Sequence, residues 1–234
     1  MADLYREIKH TFMGSAFASE IAWQEQVSSD NIAESDFLRE SAWVILSSGM
    51  REKVVRSKFP GISVAFFAWE SASKIILNKD ICLHKAMECF AHEGKIKAIL
   101  EVARCVHQEG FPNVLASLRQ DVIDYIQRFP YIGPTTSYHL AKNLGFDVVK
   151  PDRHLKRLAK CTGYATPADL CADIASVTCD RVCVVDLVLW RFATLVPNYM
   201  NYFTRAMQPR SPYGIDDVRS FFGEAILTSF RQRA

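Results

Sequence analysis

Asp152 is the only acidic residue in the stretch 148–160, where it stands among Lys150, Arg153, Lys156, Arg157 and Lys160. Neighbouring cations favour the ionised form of a carboxyl group. A fixed carboxylate can stabilise positive charge in a transition state, or orient and deprotonate an attacking water. The same residue, after Pro151 and before RHLKRLAK, also reads as a helix N-cap. The two roles are compatible, because an N-cap side chain is fixed and faces outward from the helix end. Upstream lies FPYIGP, residues 129–134. Gly133 is a residue type that accepts positive φ and lets backbone approach a ligand closely, and Pro134 suits the first turn of a helix. A tight turn feeding a helix N-terminus offers unpaired N–H groups to an anion such as a phosphate. The plain alternative is a helix–turn–helix link in which Gly133 only turns the chain.

Charge placement favours the anion. Residues 128–160 hold seven bases (Arg128, Lys142, Lys150, Arg153, Lys156, Arg157 and Lys160) against Asp147 and Asp152, a net +5 in a chain whose total is only +2. Such an excess can be a solvated helical face. Beside an anion-binding turn it fits a nucleic-acid backbone, whose phosphates dominate affinity.

The elements that must position these residues are helical. Val122, Ile123, Ile126 and Phe129 recur at helical spacing, as do Ile96, Ile99, Leu100 and Ala103, and hairpin signals for strands are missing. The expected class is all-α. Breakers predict helices over 3–12, 16–27, 36–47, 51–58, 62–77, 82–91, 94–109, 113–117, 119–129, 134–144 and 152–160, then one beginning at Pro167, one over 180–195 and one over 215–231. At 49% apolar and 12% aromatic residues the composition excludes a disordered chain. The longest apolar stretch, Ile62–Trp69, is far short of the roughly 20 residues of a membrane helix. No signal peptide is evident at MADLYREIKH. A soluble, intracellular (cytoplasmic) protein with no membrane partner is expected. Seven cysteines, an odd number without an export signal, read as reduced thiols, mostly buried and structural. No His, Cys or Glu spacing forms a zinc site, so no metal ligand is assigned.

Residues 121–160, DVIDYIQRFPYIGPTTSYHLAKNLGFDVVKPDRHLKRLAK, resemble the helix-hairpin-helix (HhH-GPD) DNA glycosylase superfamily, the endonuclease III, MutY and AlkA-like enzymes. That family carries a hairpin of the type L-P-G-[IV]-G, a helix, and a catalytic aspartate ahead of the next helix. Here the hairpin is FPYIG, with Tyr131 where a glycine is usual, and the aspartate is Asp152. Weaker echoes are WVILSSGMREKVV (43–55), GKIKAILEVAR (94–104) and VVDLVLWRFATL (184–195), so the likeness spans roughly 36–196. It implies a two-lobed glycosylase core over 36–196, with residues 1–35 and 197–234 packing on it. No internal repeat is visible.

The resemblance further implies a base excised from double-stranded DNA containing a modified base, by a monomeric protein with Asp152 as the catalytic carboxylate. Tyr131, Ile132, Gly133, Thr135, Thr136, Arg153, His154 and Lys156 are its expected DNA contacts, and Met50 its expected apolar wedge. Base flipping needs an aromatic pocket, for which Trp23, Trp43, Trp69, Tyr138 and Trp190 are candidates alongside their ordinary reading as core. No cofactor is implied beyond a monovalent cation on hairpin carbonyls of residues 129–134. Members that also cut the strand carry a lysine two residues after the second hairpin glycine. That position is Thr135, which implies a monofunctional enzyme. A glycosylase/lyase using a displaced lysine stays open, with Lys150 close to Asp152 in sequence and Lys142 a poor substitute two helical turns along, as does a non-catalytic helix-hairpin-helix DNA-binding protein. The base removed, and whether the role is repair or defence against modified DNA, are not written in these residues.

Overall fold

The computed structural model describes residues 1–206, all of whose regular elements are helical. The break QPRSPYG (208–214) and the helix expected over 215–231 lie outside the described residues. The described residues form two compact units: Val27–Phe146, here the middle unit, and Met1–Gln26 with residues 147–206, here the split unit. Two ends distant in sequence thus share one unit. No described helix is long and apolar enough to cross a membrane.

The middle unit contains α3 (Glu34–Ser47), α4 (Glu52–Ala65), α5 (Ala72–Leu77), α6 (Lys79–Cys89), α7 (Glu93–Glu109), α8 (Phe111–Gln120), α9 (Val122–Gln127) and α10 (Thr136–Asn143). Helix α7 is its spine. Ile96, Ile99, Val102, Ala103 and Val106 are buried along one stripe, and the helix packs on α3, α5 and α6. One expectation fails between residues 51 and 77. Pro60 and Gly61 do not stop the helix at 58; α4 runs through them to Ala65. Proline removes one backbone donor from a helix interior, and here packing overrides that loss. A Cβ on Gly61 would lie 2.9 Å from Cys89 Sγ, so glycine lets α4 and α6 approach closely. The break falls instead at Phe67, Ala68 and Trp69, all left-handed at φ +53°, +49° and +64°. Such backbone is costly for non-glycine residues. Stacking of Trp69 on Phe66 at 5.1 Å, and the bond from Trp69 Nε1 to Ser63 Oγ at 3.0 Å, hold it.

The split unit contains α1 (Ala2–Met13), α2 (Ala18–Gln26), α11 (Arg153–Cys161), α12 (Pro167–Thr178), α13 (Val182–Leu195) and α14 (Tyr199–Ala206), the last not anticipated. Helix α13 is apolar on nearly every side and buried accordingly. Tyr5, Ile8 and Phe12 of α1, Leu155 and Leu158 of α11, and Leu170 and Ile174 of α12 share its core. Burying each such side chain contributes roughly 1.5–3 kcal/mol. Polar ties locate the N-terminal helices. Tyr5 Oη and Lys9 Nζ each donate to Asp180, both at 2.7 Å, and Arg191 grips Glu20 through Nε and Nη2. Cys82, Cys171 and Cys183 are buried, Cys89, Cys105 and Cys161 are half-buried, and Cys179 is exposed. It is the left-handed C-cap of α12, where the chain turns away from the core.

Candidate functional site

Each unit carries one of the two features singled out in the sequence. In the middle unit, Phe129 and Ile132 are buried and pin the hairpin between α9 and α10, and Ile132 N donates to Phe129 O at 3.1 Å. Left-handed backbone is needed at Tyr131 (φ +65°), and Gly133 is not among the residues with positive φ. The expectation for Gly133 is therefore corrected: its conformational freedom is not what the turn uses. A Cβ on Gly133 would meet nothing within 4 Å. The fold does not require glycine there; what its absence of side chain preserves is open surface above the hairpin.

The hairpin donors are only partly free. Gly133 N donates to Thr136 Oγ1 at 2.7 Å, and Ser137 N to Gly133 O at 2.9 Å. Among the described residues the N–H groups of Thr135 and Thr136 have no acceptor, and they front a shallow recess of about 480 Å³. Ser48 and the hairpin residues 131–136 line it, without a charged side chain. Ile132, being buried, can offer a ligand only its backbone. Some of the hairpin carbonyls on which a cation is expected take hydrogen bonds within the chain. Phe129 O already accepts from Ile132 N, and the Thr136 hydroxyl lies 3.3 Å from both Tyr131 O and Gly133 O.

Tyr131 brings partners of its own. Its ring meets His92 edge-on at 5.9 Å and lies 5.7 Å from Lys95 Nζ. A Cβ on Gly94 would fall 2.5 Å from the Tyr131 hydroxyl, so with the tyrosine in this position glycine leaves it room. Lys95 is buried, and its Nζ donates to the carbonyls of Leu46 at 2.6 Å and Ser48 at 2.5 Å. Burial pushes its ammonium below the ordinary lysine range. It closes the C-terminal end of α3, whose last carbonyls lack helical donors. The turn that follows carries Gly49 and the exposed Met50. Lys95 thus joins the wedge candidate to the hairpin. Nothing in KIKAIL marks it for burial, since a lysine beside Ile96 usually keeps its head in water.

In the split unit, Asp152 caps α11: its Oδ1 accepts from His154 N at 2.8 Å and Leu155 N at 2.9 Å. Among the described residues nothing hydrogen-bonds Oδ2. The residue is half-buried. Its loop is clamped from behind: the buried Asp186 of α13 accepts from Lys150 N at 2.5 Å, Pro151 stiffens the link, and Asp152 N returns to Lys150 O at 2.8 Å. Asp147 similarly accepts from Cys183 N at 2.9 Å. Asp186 was missed in the sequence, although a single acid inside VCVVDLVLW was a visible signal, because a buried carboxylate needs a partner. His154 lies 5.7 Å from the Tyr199 ring, and burial pushes its imidazole below the ordinary histidine value.

The basic segment resolves unevenly. Arg128 is paired with Glu109 at 2.6 Å, and Lys142 is buried in α10. The hairpin therefore gains no cations from them, against the reading of one basic patch around it. Arg153, Lys156, Arg157 and Lys160 are exposed on α11. The pocket candidates are dispersed. Trp43 and Tyr138 are half-buried and Trp69 fully buried in the middle unit, while Trp23 is exposed and Trp190 half-buried in the split unit. Trp69, stacked between Phe66 and Phe59, serves packing.

No protein-family model matches the sequence, and a search of curated proteins finds no match. A solved structure is similar: the crystal structure of the Methanocaldococcus jannaschii 8-oxoguanine glycosylase/lyase in complex with a 15mer DNA containing 8-oxoguanine. The likeness has a TM-score of 0.55 at 17% identity, over 82% of this chain and 97% of that one. The all-helical architecture of this protein is similar in fold to that structure.

Proposed function

We propose that this protein is a DNA glycosylase that hydrolyses the N-glycosidic bond of a modified base. The observation that carries the reading is Asp152: one carboxylate oxygen is spent on holding the residue at the head of α11, the other has no hydrogen bond among the described residues, and Asp186 braces its loop. The chemistry follows from that asymmetry. Breaking the bond from C1′ to the base leaves oxocarbenium character on the sugar, which a fixed carboxylate stabilises. Water adds to C1′, its proton passes to Oδ2, and the base departs with the bonding electron pair and takes up a proton. The open surface over Gly133 and the free N–H groups of Thr135 and Thr136 suit a backbone phosphate. Thr135 stands where strand-cutting relatives have their lysine, which supports cleavage without a lyase step. The fold neighbour is an 8-oxoguanine glycosylase/lyase bound to DNA containing 8-oxoguanine, so that base heads the panel to be tried.

The test incubates the protein with duplexes each carrying one modified base, then measures abasic sites before and after alkali. Abasic sites cut only by alkali, made by wild type and not by Asp152→Asn, are expected. Strand breaks without alkali would point to a lyase using Lys150. No product across the panel, with salt-sensitive DNA binding retained, would reduce the protein to a binding module.

A further inference from the structure

Helix α14 packs on α11 and α13, and one of its side chains reaches the first turns of α11. Tyr199 opens α14 after Pro197 and Asn198, whose left-handed φ of +60° turns the chain out of α13. The side chain is buried. Burying a phenol costs stability unless its hydroxyl is bonded, and the bonds of this one run to α11. Tyr199 Oη donates to His154 O at 3.5 Å and accepts from the Arg157 side chain. The two rings of Tyr199 and His154 lie 5.7 Å apart at a tilt of 54°.

Through His154 this contact reaches Asp152. The amide of His154 donates to Asp152 Oδ1 at 2.8 Å. Its Nε2 accepts from Arg153 Nε at 3.3 Å, while Nδ1 is buried with no hydrogen-bond partner among the described residues. Packing against Tyr199, not a polar tie, therefore places the buried edge of the imidazole. Burial pushes the Tyr199 phenol above its ordinary range, so it stays neutral. A neutral acceptor holds the Arg157 guanidinium without cancelling its charge. A carboxylate in that place would set a second acid near Asp152, and neighbouring carboxylates oppose each other's ionisation. Phenylalanine would fill the same volume, so the hydroxyl is the part of Tyr199 that packing does not explain.

We propose that Tyr199 is a positioning residue of the candidate active site, fixing His154 and Arg157 around Asp152 from α14. The segment after residue 196, expected only to pack on the core, thereby takes part in the site. The effect on excision rests on the glycosylase reading; the arrangement around Asp152 does not.

The test compares the full chain with Tyr199→Phe and, as a control on the same helix, Tyr202→Phe, whose ring lies 5.2 Å from Phe192. Three quantities are measured: the single-turnover rate on a modified duplex, the Kd for an undamaged duplex, and hydrogen exchange at the His154 and Leu155 amides, both donors to Asp152 Oδ1. Tyr199→Phe should slow excision about tenfold, as loss of one hydrogen bond to a charged group does. Its Kd should stay within about twofold. Exchange at the two amides should rise about fivefold relative to amides at the centre of α13. Tyr202→Phe should match wild type in all three. Excision by Tyr199→Phe at the wild-type rate would overturn the assignment. So would a rate loss matched by an equal loss of affinity, a rate loss without faster exchange, or the same changes in Tyr202→Phe. If wild type excises no base, exchange decides alone. Faster exchange in Tyr199→Phe would then keep the arrangement while the glycosylase reading falls, and unchanged exchange would overturn both.

Discussion

Replacing Lys95 with methionine probes the joint between the hairpin and the α3–α4 turn. Methionine keeps most of the buried aliphatic volume and removes the ammonium. The carbonyls of Leu46 and Ser48 then lose donors now at 2.6 and 2.5 Å. A buried acceptor left without a partner costs roughly 1–3 kcal/mol. The Leu46 carbonyl is buried and the Ser48 carbonyl only partly so, so together they cost about 3–4 kcal/mol, and relief of the desolvated ammonium returns part of this. A net loss of about 2–3 kcal/mol is expected, which lowers the melting temperature of a protein this size by roughly 4–12 °C. The loss should be local as well as global: in hydrogen exchange, amides of Ser48–Arg51 should lose protection while those at the centre of α13 change only with global stability. If Lys95→Met melts within about 1 °C of wild type and the turn keeps its protection, Lys95 does not hold the turn. Weakened DNA binding without loss of turn protection would likewise contradict this account.

Other perturbations follow from the same contacts. Gly94→Ala places a methyl against the Tyr131 hydroxyl and should destabilise by about 1–3 kcal/mol as overpacking does; in a Tyr131→Gly background the cost should largely vanish, a coupling read by a double-mutant cycle. Asp186→Leu should expose the Lys150 amide to exchange and abolish excision with Asp152 intact, whereas Asp186→Asn, which keeps an acceptor, should retain most of the protection; equal behaviour would remove Asp186 as a positioning residue. Burial lowers the folded-state value of His154 from 6.5. On acidification the unfolded chain therefore takes up its proton first, and stability falls as pH drops below about 6.5. The fall should be smaller in His154→Gln, measured by denaturant titration. Burial and the bond to Asp180 raise the Tyr5 phenol above its ordinary value, so the folded state keeps its proton while the unfolded state loses it. Stability should fall above about pH 10, less so in Tyr5→Phe.

The all-helical class, the start of α11 at Asp152 and the position of the hairpin were legible in the sequence, because each depends on local rules. Apolar periodicity names a helical face, and a short acceptor side chain after proline names a cap. Three matters belonged to the tertiary structure. Pro60 and Gly61 look like a stop, yet they lie inside α4, because whether a breaker breaks depends on the neighbour it packs against, here Cys89. Gly133 looks like the turn-former, but the left-handed residue is Tyr131, paid for by contacts with Gly94, His92 and Lys95 from a helix more than thirty residues upstream. The basic run 128–160 looks like one patch, yet Arg128 finds Glu109, Lys142 is buried, and the free charge collects on α11. The sequence by itself determined residue types, spacing and helical periods. Only the tertiary structure decided which charges are cancelled, which glycine is needed and which carboxylate braces Asp152, because each of those depends on a partner distant in the chain.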